Sequence, residues 1–265
     1  MFINFKCLFL ASEVLSEATK IQNKIEKSFS SFSKGAQKVC VLLLKQNVSL
    51  ANCILLLCRR KYLGEARILT RSLLETSAYL LFISEKDHEE RSELYRHSLA
   101  LSHKVAVDEF NDAVPEGCKK IDTRFYDESE GEALKYFRRK HGQDAKKDDI
   151  KKKYTLDPRK AANQLSGEIK KVYDTLYTKF YRAASALSHG QDPISSFKFM
   201  DKTFEKKKEY QKHINVELRM VIQTVCILIL YDLEYIDAFL KLNYKDRLKV
   251  AKRNVENVIE LIKKS

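Results

Sequence analysis

Residues 173–190 read YDTLYTKFYRAASALSHG, and their spacing sets the fold class. Ile169, Val172, Tyr173, Leu176, Tyr177, Phe180, Ala184 and Leu187 recur mostly at steps of three and four. Such spacing lays an apolar stripe along one side of an α-helix. Ser166 is placed to cap its start, and Gly190 to end it, because glycine accepts the left-handed backbone needed just past a helix. Arg182, Ser185 and His189 stand at i, i+3 and i+7. Seven residues make almost two turns, so Arg182 and His189 share a face. From Phe180 to Arg182 the helix turns about 200°, at roughly 100° per residue. The Arg–His face is therefore nearly opposite the stripe and looks to solvent, a partner chain or a cleft.

Working outward, the same pattern recurs along the chain. Its 265 residues include only 7 Gly, 3 Pro and no Trp. Few breakers and many Leu, Lys, Glu and Ala favour long helices, and no strand-like alternation recurs between turn clusters. The expected architecture is all-α, a multi-helix bundle in one domain over 1–265. Helices are predicted over about 8–30, with Leu10, Val14, Ile21, Ile25 and Phe29 as anchors, and over 36–58, 62–85 and 88–112. The 36–58 helix is apolar nearly all round and should be central. Residues 111–160 are the least core-like, with a mixed-sign run from Arg138 to Lys153 that reads as a solvated helix or loop, or else as a basic flap that guides RNA. Asp157-Pro158 is a helix start, Asp as cap and Pro in the first turn. One long helix or two should fill 203–241. A basic amphipathic helix over 244–264 should pack back on the bundle through Leu248, Ala251, Val255, Val258, Ile259 and Ile262.

Formal net charge is +13, which suits a polyanionic partner such as RNA, DNA or an anionic surface, although solvated lysine faces give the same number. Cys7, Cys40, Cys53, Cys58, Cys118 and Cys226 form no Cys-x2-Cys pair. Cys53-x4-Cys58 lies in a leucine run and reads as core, and free thiols in a reducing cytoplasm are the natural reading. The apolar start, MFINFKCLFLASEVLSEATK, passes straight into a polar amphipathic pattern and does not read as a secretion signal. Val221–Tyr231 is too short to span a membrane, with Glu217, Arg219, Asp232 and Glu234 close by. No membrane association is expected. The chain carries no phosphate-cradling Gly-rich loop, no Gly-x-Ser-x-Gly, no His-Glu-x2-His and no paired metal-carboxylate motif.

An Arg, six residues and a His near the end of an amphipathic helix resembles the motif of the HEPN superfamily. Tyr173-Asp-x2-Tyr177, Tyr181-Arg-x2-Ser185 and His189-Gly190 extend the likeness, as does Arg67-x3-Arg71-Ser-Leu-Leu-Glu75. Together they resemble a bacterial all-helical family of HEPN-like domains. The resemblance implies a HEPN-like core over about 36–190, a charged insertion at about 114–157 and extra helices at 203–264. It also implies a metal-independent endoribonuclease working as a homodimer, a toxin or phage-defence effector. Arg182 would hold the scissile phosphate and His189 would deprotonate or orient the ribose 2′-OH, supported by Tyr181 and Ser185. RNA, a second copy and a regulatory protein are the partners expected, with no cofactor and no metal. Some HEPN domains bind nucleotides or proteins and cut nothing, so a non-catalytic module is the alternative.

Two further expectations concern neighbours of this motif. Arg67, Arg71 and Glu75 form a charged ridge on an apolar helix. Arg before Glu is the less favourable order for a local pair, so Glu75 is expected to pair with another helix, and Glu75 or Arg71 to orient the Arg182–His189 face. Arg96 and His103 form a second Arg-x6-His, but His103 is followed by Lys-Val-Ala-Val and reads as mid-helix.

Overall fold

The structure, a computed structural model, describes residues 2–178 and 204–264. The described chain is all-α: ten helices packed in a bundle, with no strand among the described residues. In chain order they are α1 (Phe2–Lys27), α2 (Gly35–Arg59), α3 (Leu63–Glu85), α4 (His88–Ala113) and α5 (Arg124–His141). Then follow α6 (Lys147–Asp149), which runs into a π turn over Ile150–Tyr154, α7 (Pro158–Asn163), α8 (Gly167–Leu176), α9 (Phe204–Leu240) and α10 (Lys245–Lys263).

Apolar spacing explains the main core. Leu73, Leu74, Ala78, Leu80 and Leu81 of α3 are fully buried, as are Leu44, Ala51 and Ile54 of α2 and Ile222, Val225, Ile229 and Ile236 of α9. Burying one such Leu or Ile contributes about 1.5–3 kcal/mol, so this three-helix contact dominates stability. Asn47 bonds to Ser77, and Ser77 to Asp232, while Arg67 pairs with Glu217 at 3.1 Å. These pairs run α2 antiparallel to α3, and α9 in the same direction as α3. On the other side α10 lies against α1, with Ala251, Val255 and Val258 buried and Arg247 bonded to Glu17 at 2.8 Å. Ala11 and Ala18 of α1 and Ala251 of α10 are each fully buried, so Ala251, the thinnest point of the α10 stripe, belongs to the core.

Several sequence expectations change. The first helix starts at Phe2 rather than near residue 8, because Cys7, Ala11 and Val14 already face the core. It ends at Lys27, and Phe29 falls in a short 3₁₀ turn. α2 packs centrally but is not buried all round: Leu42 and Leu56 are 56% and 55% exposed, and Cys53 is exposed while Cys58 is buried. All six cysteines are free thiols. Residues 204–240 form one helix, and Asp232, which reads as a charged flank of an apolar run, is fully buried. Gly35–Arg59 and Ile214–Leu240 are long and apolar enough to cross a membrane, and each is half buried in the bundle.

The charged segment folds into a hairpin on α4. Ala133, Tyr136 and Phe137 of α5 pack with Leu101 and Ile150 in a small second core. α5 stops at Gly142, whose φ of +109° is open to glycine alone at little cost. Asp157 caps α7 as its sequence predicts, accepting from the Lys160 backbone N–H at 2.8 Å, with Pro158 in the first turn.

Candidate functional site

The described part of the 173–190 stretch is held by α8. Ile169, Tyr173 and Leu176 are buried, which bears out the apolar stripe as far as it is described. Tyr173 is 1% exposed, and its hydroxyl donates to the Leu74 carbonyl at 2.8 Å. A buried phenol needs such a partner, and this bond fixes α8 on the RSLLE helix. Tyr173 and Tyr177 stack at 6.3 Å, and Asp174 is tied to Lys170 at 2.8 Å. The Tyr-Asp-x2-Tyr motif is thus two packing tyrosines and one surface ion pair.

Ser166 holds the cap position of α8 without capping it, since its side chain accepts no backbone N–H. Its N–H and hydroxyl both donate to Glu85 at the end of α3 instead. Glu85 also pairs with Arg91 at 3.0 Å. Burial pushes the Glu85 carboxyl up, but the bonds from Ser166 and Arg91 outweigh it and hold the group below its ordinary range. A charged carboxylate therefore ties together the α3–α4 corner and the start of α8.

On α3 the predicted charged ridge is present but half-buried. Among the described residues Glu75 pairs with Arg71 of its own helix at 3.1 Å and with no other helix. The unfavourable order for an isolated helical pair weighs only a few tenths of a kcal/mol, too little to override a partner one turn away. Arg67 of the ridge reaches across to Glu217 of α9. Tyr181, Arg182, Ser185 and His189 lie outside the described residues, and so does their expected meeting with Arg71 or Glu75. Arg96 and His103 both lie on the exposed face of α4, with His103 mid-helix.

Two features escape a sequence reading. In the main core Asp232 accepts from Asn47 Nδ2 at 2.7 Å and from Ser77 Oγ at 2.9 Å. All three residues are fully buried. Among the described residues, Asp232 Oδ1 and Asn47 Oδ1 have no hydrogen-bond partner. Burial raises the Asp232 carboxyl to about 7, against the lowering effect of its two donors. Polar residues at core positions of apolar helices were the available signal.

The second feature is a set of clefts, two at the charged hairpin and one beside them between α7 and α8. One of about 610 Å³ is lined by His97, Glu132, Lys135, Arg138, Arg139 and Gln143. Another of about 430 Å³ is bordered by Lys140, His141, Lys153, Tyr154, Lys160 and Asn163. A third of about 180 Å³ lies between α7 and α8 and is reached by Arg159, Asn163, Tyr173 and Thr178. No group of three His, Cys, Asp or Glu among the described residues is arranged to hold a metal ion.

Comparison with curated proteins gives no match, and neither does comparison with solved structures. A family model does match, over residues 37–210, a span that includes the RSLLE helix, the charged hairpin and the 173–190 stretch. The chain belongs to DUF5677, a family of unknown function.

Proposed function

We propose that the chain is a metal-independent, HEPN-like endoribonuclease with Arg182 and His189 as its catalytic pair. The observation that carries the reading is the 173–190 stretch itself. Its Arg-x6-His lies on the polar side of a helical pattern whose apolar side, through Tyr173 and Leu176, is buried against the bundle. General acid–base chemistry requires side chains held in fixed geometry, which the expected continuation of that helical pattern through Arg182 and His189 would provide.

In the reaction His189 takes the proton of the ribose 2′-OH, and the 2′-oxygen attacks the adjacent phosphorus. The bond from phosphorus to the 5′-oxygen breaks, that oxygen takes a proton from water, and His189 returns its proton to solvent. Arg182 stabilises the charge that develops on the non-bridging oxygens. The products are a 2′,3′-cyclic phosphate and a 5′-hydroxyl. Tyr181 and Ser185 support the pair, and Arg71 with Glu75 orients it from α3. The protein acts in the cytoplasm as a homodimer, in a toxin or defence role, under a regulatory protein.

End-group analysis of cleaved RNA tests this directly. Cyclic phosphate ends formed with EDTA present are expected; 3′-hydroxyl ends, or activity abolished by chelator, would overturn the reading. A non-catalytic module that binds a nucleotide, nucleic acid or protein through the same pair is the second reading. The basic clefts favour it, since they provide contacts for phosphate without supplying chemistry.

A further inference from the structure

Positive charge in this chain is concentrated in one place. Residues 135–160 hold eleven Lys and Arg against four Asp and Glu, a net +7 of the chain's +13. That stretch covers the second half of α5, α6, the π turn and the start of α7. Some of its lysines are neutralised: Lys140 by Glu90, Lys147 and Lys151 by Glu130, and Lys153 by Asp149. Lys135, Arg138 and Arg139 have no acidic partner within 4.0 Å among the described residues, and all three border the first cleft, where Glu132 is the one acid among the lining residues.

Flat ring surfaces accompany these cations. His97 stacks on Tyr136 at 4.3 Å, and Lys140 lies 5.9 Å from the centre of the same Tyr136 ring. Through Tyr136, His97 of the first cleft and Lys140 of the second thus contact the same ring. In the second, His141 stacks on Tyr154 at 3.9 Å with the rings 5° from parallel. Asn163 borders both the second and the third cleft. The third reaches Thr178, four positions before Arg182 in the chain.

We propose that these three clefts form a track for single-stranded RNA, with phosphates on Lys135, Arg138 and Arg139 and bases against the His97 and His141 faces. The proposal rests on the endoribonuclease reading and names how its substrate is held. Guanidinium groups match phosphate oxygens two at a time, and splayed bases stack on rings whatever their sequence. A duplex would hide those base faces. A membrane surface fits less well, because every side chain lining the first cleft is polar and none would enter an acyl layer.

The test is fluorescence anisotropy with a short labelled RNA made uncleavable by 2′-O-methylation, titrated across salt. Lys135→Ala/Arg139→Ala changes exposed side chains and should fold. It is expected to weaken binding about tenfold and to flatten the log–log salt slope by about 1.4, or ~0.7 for each single-strand phosphate that the protein no longer neutralises. Adding Arg138→Ala should weaken it further. Unchanged affinity and slope in the folded double variant would overturn the track. So would wild-type binding to phosphatidylserine vesicles but not to RNA, which would make the patch a membrane surface. Wild type that binds this RNA through the track yet cuts no ordinary RNA would uphold the track and remove the nuclease reading. Cleavage by wild type with track-independent affinity would do the reverse.

Discussion

Asp232 shows what a single residue can carry in this fold. Its carboxyl is 0% exposed, is held by Asn47 and Ser77, and has one oxygen without a partner among the described residues. Unfolded, the group titrates near 4, whereas in the bundle burial raises it to about 7. Between those values the folded state holds more protons than the unfolded state. Stability from this group therefore falls as pH rises through that window and levels off above it. Asp232→Asn keeps an acceptor for both donors and removes the charge. It is expected to raise the thermal midpoint at pH 8 and to flatten the pH dependence between 5 and 8; a lower midpoint with an unchanged slope would refute this. Tyr173→Phe is a milder test at the same scale. Losing the bond to Leu74 should cost about 1 kcal/mol in a denaturant melt, and no measurable change would show that α8 is not anchored there.

At the scale of elements, the α5 hairpin stands apart from the rest of the bundle. Its small core of Leu101, Ala133, Tyr136, Phe137 and Ile150 is separate from the core shared by α1, α2, α3, α9 and α10. Phe137 is fully buried in it. Phe137→Ala should cost about 3–5 kcal/mol locally, enough to open a hairpin with so few core residues. Amide exchange should then rise across 124–154 while α2, α3 and α9 keep their protection. Exchange that rises everywhere would mean that the hairpin and bundle unfold as one unit. Helix α8 depends on another local device, the Glu85 carboxylate that receives Ser166 and Arg91. A cap residue was legible at Ser166, but its true partner lies 81 positions away and leaves no local mark.

Across the whole molecule, what could be read from sequence follows the range of the interaction. Periodicity gave the all-α class and the buried side of α8, because both depend on neighbours three and four residues apart. The Asp157-Pro158 start was legible for the same reason. The burial of Asp232 was not, since it needs three helices from distant parts of the chain. The local Arg71–Glu75 pair went unexpected because a weak local preference was given more weight than proximity, while the expected meeting with Arg182 and His189 lies outside the described residues. Residues 111–160 read as solvated because the four residues they give the small core, Ala133, Tyr136, Phe137 and Ile150, are dispersed among charges. Of the six candidate site residues, Arg71 and Glu75 fall in the described bundle, and the other four lie outside it.

The central claim concerns Arg182 and His189, and one measurement reaches it most directly. Wild type, Arg182→Ala and His189→Ala, each checked for native helicity, are incubated with a mixed RNA pool in EDTA. Cleavage by wild type that falls at least ~10²-fold in both variants is the predicted result, the scale expected for losing a general base or an oxyanion contact. Equal cleavage by all three proteins, or none by wild type, would contradict it.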